Sequence, residues 1–315
     1  MTESYNPSLW EYGVRDTLVR ARNLAEPSLV GPIAELVPSD SYHNLYPWIG
    51  PVPVLQLLKD ELAIYGMSDA SYEVVNDTYS VAIEIPRNSI RDDQLGAIMM
   101  QVQKLALVAM NFRNRLIVSA IEAGTTYGSY DGVSWFNDAH PIRGQQTATQ
   151  DNLLAGTGVT ATAIKTDVTA AVAAAQNWKD ENGEPFAGSR LNWIALVPPA
   201  IAIPTLEAIN SPLIPTVFGS NTAAASQSNV GFQNAGMSFE VISSPRLTDA
   251  NDWYLFDASS SAKPLIYQEA EGVTIESLLA GSDNWVKKEK ALFKARWRGA
   301  VGYNHPALAF KTVNS

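Results

Sequence analysis

The stretch from residue 89 to residue 124 reads SIRDDQLGAIMMQVQKLALVAMNFRNRLIVSAIEAG and predicts one very long helix. Ser89 and Asp92 match a capping box at its start, and Gly124 can take the left-handed conformation that closes a helix. At a rise of ~1.5 Å per residue the helix would be roughly 50 Å long, well beyond the usual globular helix. The apolar positions recur at steps of three and four, which marks one helical face: Leu95, Ile98, Met99, Val102, Leu105, Ala106, Ala109, Phe112, Leu116, Ala120 and Ile121. A bundle helix is the alternative, but the chain offers only one other long helix as a partner.

Composition restricts the classes of protein to which the chain can belong. It has 315 residues, 46% of them hydrophobic, which is enough for one large or two medium domains. There are no cysteines, which excludes disulfides, thiolate metal sites and cysteine nucleophiles and fits an intracellular assembly environment. The formal net charge of -10 argues against a broad phosphate-binding surface, so we expect any contact with DNA to be local and weak.

The sequence carries no recognisable export or membrane signal. The first ten residues, MTESYNPSLW, lack the basic-then-apolar order of a secretory signal, which predicts folding in the cytosol. The most apolar region, residues 191–209, is interrupted by Pro198, Pro199 and Pro204. We therefore expect no membrane span, because a helical span needs about 20 apolar residues in succession.

Residues 1–50 have the composition of an arm. A short helix around Leu9–Leu24 is followed by an extended segment, because its prolines prevent regular structure. These prolines are Pro27, Pro32, Pro38, Pro47 and Pro51. Tyr42, Tyr46 and Trp48 cannot be buried within an extended segment, so they need another surface. That surface belongs either to the same subunit or to a neighbouring one, and the sequence leaves both open.

Two short strands are predicted between Tyr72 and Ile85. Residues Tyr79–Ile85 alternate apolar and polar side chains, the pattern of a half-buried strand, and Tyr72–Val75 precedes them. Asn76 and Asp77 are turn formers, which predicts a hairpin with these two residues at its tip. A lone hairpin is marginal in water, so this one must lie against another surface. The candidate subunit-contact residues are therefore Trp48, Tyr72, Asn76, Asp77 and Tyr79.

The remainder of the chain predicts an α+β unit. An alanine-rich helix at about Thr162–Lys179 is expected to pack closely on the long helix, because alanine favours helix and permits close approach. The last strand-like segment, Ala291–Tyr303, is also expected to return to the long helix. Between them we predict strands at 191–197, 237–242, 253–257 and 264–268, a short helix at 205–209 and a loop at 219–236.

The loop after the long helix holds the one cluster that could be argued as an acid–base or metal site. It contains Asp131, Asp138 and His140. The other two histidines, His43 and His305, are far away in sequence, so no two histidines stand at ligand spacing. A turn held by side-chain hydrogen bonds explains the cluster better. We therefore predict no catalytic residue, no cofactor and no metal.

Other chemical motifs are missing or ambiguous. No G-x-x-x-x-G-K-[ST] or G-x-G-x-x-G string follows a predicted strand, so the sequence does not support nucleotide binding. The densest positive region runs from Lys287 to Arg298. It could touch DNA or pair with acidic neighbours, and we expect the ion pairs.

Several strings, taken in order, resemble the major head protein family of Mu-like bacteriophages, whose members adopt the Hong Kong 97 capsid fold. The resemblance covers most of the chain from about Pro47 onward, and the order and spacing of the strings are more specific than any single one. The strings are Trp48-Ile49-Gly50-Pro51, Tyr72-Glu73, Ile90-Arg91-Asp92-Asp93-Gln94-Leu95-Gly96, Tyr130-Asp131-Gly132, Trp135-Phe136, His140-Pro141, Asn182-Gly183-Glu184-Pro185, Leu196-Val197-Pro198-Pro199 and Trp253-Tyr254-Leu255-Phe256.

The resemblance implies an α+β subunit built from named parts. They are an N-terminal arm at 1–50, an extended hairpin called the E-loop within 51–88, a peripheral domain with the long spine helix at 89–185, and an axial domain at 186–265. Residues 266–315 would return to the peripheral domain. No lysine lies between Lys59 and Lys104, which argues against the isopeptide cross-link that some capsids of this fold form from an E-loop lysine.

The function that the resemblance implies is structural rather than enzymatic. The chain would be the major capsid subunit of a tailed phage or prophage, forming hexamers and pentamers of an icosahedral head around double-stranded DNA. It would be assembled in the host cytoplasm and end in the virion. Its partners would be copies of itself, portal and scaffolding proteins, and a decoration protein where one exists. No charged coiled-coil extension precedes the arm, which favours a separate scaffold or prior removal of such a segment.

Two alternatives remain open. An encapsulin-like nanocompartment would share the fold but hold protein cargo instead of a genome. A hydrolase or metalloenzyme centred on Asp131, Asp138 and His140 would need those three side chains to converge.

Overall fold

The computed structural model describes residues 23–47, 71–91, 95–129, 131–142, 148–180, 183–186, 190–216, 225–228, 230–278 and 282–314, and the single positions 16, 20 and 21. The predicted helix around Leu9–Leu24 falls mostly outside the described residues. Two further predictions lie wholly outside them. One is Trp48 as a contact residue, and the other is Asp92 as the second member of the capping box.

The long helix is present. A short helix, α1 (Arg87–Arg91), precedes α2 (Leu95–Ala123), a single helix of 29 residues. Ser89 lies within α1, so the prediction that it caps the long helix is wrong. Ile98, Val102 and Leu105 are buried on the face that the apolar spacing predicted. Among the described residues, no helix is both long enough and apolar enough to cross a membrane.

The conformation predicted for Gly124 is wrong, although the helix does end beside it. Gly124 is not among the glycines with positive φ. A Cβ at this position would lie 2.8 Å from Cδ2 of Phe136 and 2.9 Å from Cε3 of Trp135. Glycine is therefore needed because two buried aromatic rings pack directly against the end of α2, and not because the backbone is left-handed.

The strands are short except for three. In chain order they are β1 (Ala34–Pro38), β2 (His43–Pro47), β3 (Ser71–Val75), β4 (Asp77–Pro86), β5 (His140–Pro141), β6 (Thr149–Gln150), β7 (Leu153–Ala155), β8 (Asn192–Val197), β9 (Leu213–Thr216), β10 (Ala225–Ser228), β11 (Ser238–Ser243), β12 (Trp253–Asp257), β13 (Leu265–Leu278), β14 (Lys290–Tyr303) and β15 (Ala309–Val313). Further helices with described bounds are α3 (Ala161–Gln176), α4 (Ala202–Asn210), α5 (Gly231–Asn234) and α6 (Asp283–Lys288). Short 3-10 turns cover Pro199–Ile201 and Pro306–Leu308.

One sheet has the order β1-β13-β14-β4 and carries the long helix on one face. Along β14, Ala291, Phe293, Ala295 and Trp297 are buried and alternate with partly exposed residues. The buried set packs against residues of α2 such as Leu105. The predicted return of this strand to the long helix is confirmed, and its period of two explains why one face is apolar and the other charged.

The predicted hairpin between Tyr72–Val75 and Tyr79–Ile85 is wrong. β3 pairs instead with β2, in the register His43 to Val75 and Pro47 to Ser71, and β4 pairs with β14. β2 and β3 thus form a two-stranded ribbon, defined by residues 43–47 and 71–75, that is separate from the four-stranded sheet. A turn sequence marks a change of direction but cannot say which distant strand follows, and here each strand found a non-local partner.

A second sheet has the order β11-β8-β12-β15-β7 and is covered on both faces. On one face, α3 and α4 bury Val172 and Ala208 in a cluster that includes Trp193 and Phe310. On the other face, Phe256 and its neighbours join a cluster that includes residues of α2. The central strands therefore read as nearly continuous apolar runs, as strands buried on both faces do.

Three further expectations need correction. The alanine-rich helix, α3, packs on the five-stranded sheet and not on α2, because Ala171 and Ala175 face the cluster of that sheet. The segment 219–236, predicted as loop, contains β10 and α5. The prolines of the arm were expected to prevent regular structure, but the arm contains the strands β1 and β2, because Pro38 and Pro47 stand at the ends of these strands.

The sheets also cross the predicted segment boundaries. β15, within the predicted return to the peripheral domain, pairs with β12 in the five-stranded sheet. β7, within the predicted peripheral segment, pairs with β15. β1, within the predicted arm, pairs with β13. Contiguous segments therefore do not describe the two sheets, because distant strands meet side by side in each.

Candidate functional site

The loop 131–140 folds into a buried polar turn around His140. The side chains of His140 and Asp131 are only 1% and 3% exposed. His140 Nδ1 lies 2.6 Å from Asp131 Oδ2, and Nε2 lies 3.0 Å from Asn152 Oδ1. Gly132 has a φ of 87°, which lets the chain reverse between the two partners. The predicted turn held by the His140 side chain is confirmed.

Asn152 is the centre of this turn, and sequence reasoning missed it. Its fully buried side chain donates from Nδ2 to the carbonyls of Trp135 at 2.8 Å, Pro306 at 3.1 Å and Ala309 at 3.1 Å. Its Oδ1 also accepts from the Asn137 N–H at 2.9 Å. One amide thus ties the loop to the start of β15. An asparagine in a polar loop carries no sequence signal for such a role, because two of its partners, Pro306 and Ala309, are far along the chain.

This arrangement supports the fold rather than a reaction. Both ring nitrogens of His140 face acceptor oxygens of the same chain, so neither presents a free lone pair to a metal ion or a substrate. Asp138, the third predicted member of the cluster, lies exposed on the surface and outside the buried pair. Within the described ranges, no three His, Cys, Asp or Glu side chains are grouped closely enough to hold a metal ion.

A second buried charged group connects the end of β12 to the turn before β15. Arg190 Nε lies 3.3 Å from Asp257 Oδ2, with side-chain exposures of 1% and 0%. Arg190 Nη1 donates to the carbonyl of Ala307 at 2.6 Å, and His305 Nδ1 accepts from the Ala307 N–H at 3.0 Å. The His305 ring also packs on Phe186, with ring centroids 3.9 Å apart. Burial, and then the positive charge of Arg190, lowers the pKa of His305 well below its ordinary value, so this imidazole is neutral at pH 7.

Two of the candidate contact residues lie on the open edge of the four-stranded sheet. Asp77 and Tyr79 belong to β4, which pairs with β14 on one side and with no other described strand. Tyr79 is 36% exposed and Val81 is 42% exposed. The Tyr79 ring lies 4.8 Å from that of Phe112 and 5.7 Å from that of Trp297. Unpaired backbone groups beside exposed apolar side chains are the features by which one chain pairs with another.

The other two described candidates lie inside the molecule. Asn76 is 3% exposed, so the prediction that it stands at a hairpin tip is wrong. Its Nδ2 donates to Ser39 Oγ at 2.9 Å and to the carbonyl of Ser41 at 2.8 Å. Tyr72 is partly buried, and its hydroxyl accepts from the Tyr303 N–H at 3.4 Å. Both residues hold the base of the β2–β3 ribbon against the chain's own body.

Three of the four cationic residues of β14 are paired with carboxylates. The ion pairs are Lys290 with Glu84 at 2.8 Å, Lys294 with Glu276 at 3.9 Å and Arg296 with Glu271 at 3.3 Å. The expectation of ion pairs is confirmed for these three cations. This face of the sheet is therefore close to electrical balance and is poorly suited to attracting a polyanion.

Comparison with known proteins agrees with this architecture. The family model described as "Mu-like prophage major head subunit gpT" matches residues 11–172 and 217–315. The chain is 23% identical over 284 residues to the Mu-like prophage FluMu major head subunit of Haemophilus influenzae, covering 90% of this chain and 65% of that protein. It is 30% identical over 116 residues to the major capsid protein of Escherichia phage Mu, covering 37% of this chain and 38% of that protein. The chain thus spans less than two thirds of the length of these two relatives.

The fold is also found among solved capsid structures. The subunit in the procapsid of bacteriophage JBD30 superposes with a TM-score of 0.53 and 19% identity, over 98% of this chain and 76% of that one. At this identity the likeness shows the fold alone. The two sheets and the long helix are therefore an α+β subunit of the Hong Kong 97 capsid type.

Proposed function

Because this chain belongs to the family of Mu-like prophage major head subunits, gpT, we propose that it is the major capsid subunit of a tailed phage or prophage. It assembles with copies of itself into hexamers and pentamers of an icosahedral head that encloses double-stranded DNA. It is a component of the virion and is assembled in the host cytoplasm. Its working residues form contacts between subunits, and it catalyses no reaction.

The observation that carries this proposal is the open edge of the four-stranded sheet. β4 is a strand of 10 residues, most of them exposed, and among the described strands only β14 pairs with it. Natural proteins shield such an edge with charges, prolines or a covering segment unless another chain completes it. Tyr79 and Val81 instead present apolar surface beside it. A shell subunit needs such unfinished surfaces, because its neighbours complete them.

The described elements divide between the parts of a capsid subunit as follows. The β2–β3 ribbon is the base of the E-loop, whose strands are joined by residues 48–70. The four-stranded sheet with α2 is the peripheral domain, and the five-stranded sheet with α3 and α4 is the axial domain. Support for this division comes from the strand pairing, which differs from the contiguous segments that the sequence suggested.

Other partners follow from the same role. Portal and scaffolding proteins would contact the shell during its assembly, and a decoration protein would bind outside it. The shell encloses DNA without binding it tightly, which is consistent with the net charge of -10 and with the paired cations of β14.

The two alternatives have less support. An encapsulin-like compartment would have the same fold, but the matching family model and curated relatives are head subunits of Mu-like phages. A hydrolase or metalloenzyme would need reactive groups facing solvent, whereas His140 and Asp131 are buried and bonded to each other.

Expression of the chain, followed by light scattering and negative-stain microscopy, tests the proposal. We expect closed shells or rings of subunits from the wild-type protein. Val81→Lys places a charge on the open edge and should reduce particle yield at least about tenfold, while the folded subunit remains. The matched control is Val159→Lys, which has similar exposure, 37% against 42%, and lies before α3. Only monomers at high concentration, or equal particle yields from both variants, would contradict the proposal.

A further inference from the structure

A buried side chain of the body, Gln268, contacts the base of the β2–β3 ribbon. Gln268 lies on β13 and is fully buried. Its Oε1 accepts from the Tyr46 hydroxyl at 2.7 Å, and Tyr46 belongs to β2. Its Nε2 donates to Asn76 Oδ1 at 2.7 Å and to the carbonyl of Val74 at 3.3 Å, at the end of β3. One amide therefore contacts both strands of the ribbon from the neighbouring sheet.

Asn76 extends this network to the segment that precedes the ribbon. Its backbone N–H donates to the carbonyl of Tyr42 at 2.9 Å, and its Nδ2 donates to Ser39 Oγ and to the carbonyl of Ser41. The amide groups of Gln268 and Asn76 each use both donor hydrogens and the carbonyl oxygen. A fully satisfied buried network fixes geometry, because any other arrangement would leave a buried polar group without a partner.

A glycine seats the ribbon beside this network. Gly302 lies on β14, and a Cβ there would come within 2.6 Å of Val74 Cγ2 and 3.2 Å of Tyr72 Cε1. Gly302 is not among the residues with positive φ, so its backbone would accept any L-residue. Only the close approach of β3 explains the need for glycine at this position. The ribbon therefore rests on β14 through a contact that a single methyl group would disturb.

We infer that Gln268, Asn76 and Gly302 form a joint that sets the direction in which the β2–β3 ribbon leaves the body. The amides fix the ribbon by hydrogen bonds to both of its strands, and the glycine fixes its distance from β14. These are positioning residues, because they act through the ribbon and are themselves buried. The consequence for shell geometry rests on the proposed function, since a ribbon with a fixed direction reaches a neighbouring subunit in one orientation.

The joint is tested on the unassembled subunit by distance measurement between two spin labels. The chain has no cysteine, so Leu45→Cys on the ribbon, which is 58% exposed, and Lys104→Cys on α2 place labels uniquely. Gln268→Leu removes the amide that forms the hydrogen bonds while keeping a side chain of similar volume. Gly302→Ala keeps the network and adds one methyl group. Gln233→Leu, on the exposed face of α5, is the matched control.

We expect a narrow distance distribution in the wild type and in the control. Gln268→Leu should broaden it and raise amide exchange at 43–47 and 71–75 about tenfold, because a buried polar network is lost. Gly302→Ala should shift the mean distance, and exchange at 253–257 reports whether each variant is folded. If Gln268→Leu fails to fold, Gly302→Ala decides the outcome, because its network is intact. If the folded variants show the same label distances and the same amide exchange as the wild type, the inference that these residues form a joint would be overturned.

Particle yield separates this inference from the proposed function. If the joint is correct and the chain is a shell subunit, both variants give fewer or misshapen particles. A wild-type chain that never forms particles, but whose ribbon loosens in Gln268→Leu, would overturn the function and leave the joint. Normal closed shells from variants whose ribbons have loosened would overturn its role in setting shell geometry.

Discussion

The two sheets of this chain differ in how far the chain itself completes them. Every residue of β12, in the five-stranded sheet, is buried, and its neighbours β8 and β15 are covered by helices and by the shared core. In the four-stranded sheet, most of β4 is exposed and its far side has no described partner. In the β2–β3 ribbon beside it, the two strands pair with each other and with no other described strand, and Leu45 is exposed.

The difference teaches that apolar pattern and burial are separate properties. β4 alternates Tyr79, Val81 and Ile83 as regularly as β14 alternates its buried residues, yet β4 stays largely exposed because it stands at an edge. The five-stranded sheet is covered on both faces within the chain and contributes strongly to the stability of the isolated subunit. The open edge of the four-stranded sheet keeps apolar surface available for another copy.

The largest expected effect compares one truncation in each sheet. Leu255→Ala in β12 should lower the free energy of unfolding by about 2–5 kcal/mol, because Leu255 is fully buried and its loss leaves a cavity. Val81→Ala in β4 should lower it by less than about 0.5 kcal/mol in the unassembled subunit, because that side chain is already in water. Urea unfolding of both variants measures the contrast. Equal losses would mean that the edge is part of the stabilising core.

The next effect concerns the buried hydrogen bonds of Asn152, which tie the loop 131–140 to the five-stranded sheet. Asn152→Ala should lower the free energy of unfolding by about 3 kcal/mol, because it leaves buried partners such as the Asn137 N–H without a bond. Asn234→Ala, on exposed α5, is the control and should change it by less than about 0.5 kcal/mol. Thermal and urea unfolding of the two variants check this. A loss below about 1 kcal/mol for Asn152→Ala would show that the turn is not a structural centre.

The free energy of unfolding should also depend on pH, through the buried His305 beside the five-stranded sheet. The unfolded chain protonates His305 near pH 6.5, but burial and Arg190 lower the pKa of the folded group. Below that pH the unfolded state binds more protons, so stability falls as pH drops, by up to about 1.4 kcal/mol per pH unit. It is unaffected above pH 7. His305→Asn keeps an acceptor for the Ala307 N–H and should flatten the slope between pH 5 and 7 in urea unfolding. An unchanged slope would assign the dependence to other groups.

The smallest expected change in stability comes from the charged face of the four-stranded sheet. Arg296→Met removes the pair with Glu271, whose side chains are 33% and 35% exposed. Because such pairs are largely solvated and screened, we expect a change below about 1 kcal/mol in the free energy of unfolding, and less at high salt. A loss above about 2 kcal/mol would show that this face is effectively buried in the subunit.

Periodic features of the fold could be predicted from the sequence. The apolar face of α2 and the alternation in β14 each depend on near neighbours, and Trp253–Asp257 was predicted with its observed bounds. Strand pairing could not be predicted. The Asn76-Asp77 turn formers suggested a hairpin, but the partner of β3 lies at His43–Pro47 and that of β4 lies near the C-terminus.

The candidate site follows the same division. The His140–Asp131 contact spans nine residues. Local turn chemistry predicted a turn held by the His140 side chain, but it did not identify Asp131 as the partner. Asn152 and Gln268 could not be identified, because a buried amide looks like any polar residue in sequence and some or all of the partners of each lie more than a hundred residues away. Burial of Asn76 was missed for the same reason.

Hydrogen exchange before and after assembly tests most directly whether other copies of the chain cover β4, the open edge of the four-stranded sheet. The amides of β4 that point away from β14 should exchange quickly in the free subunit and become protected in purified particles. Amides in 192–197 and 253–257 should be equally protected in both states. Particles in which residues 77–86 exchange as fast as in the free subunit would contradict the account, because the open edge would then be left uncovered by assembly.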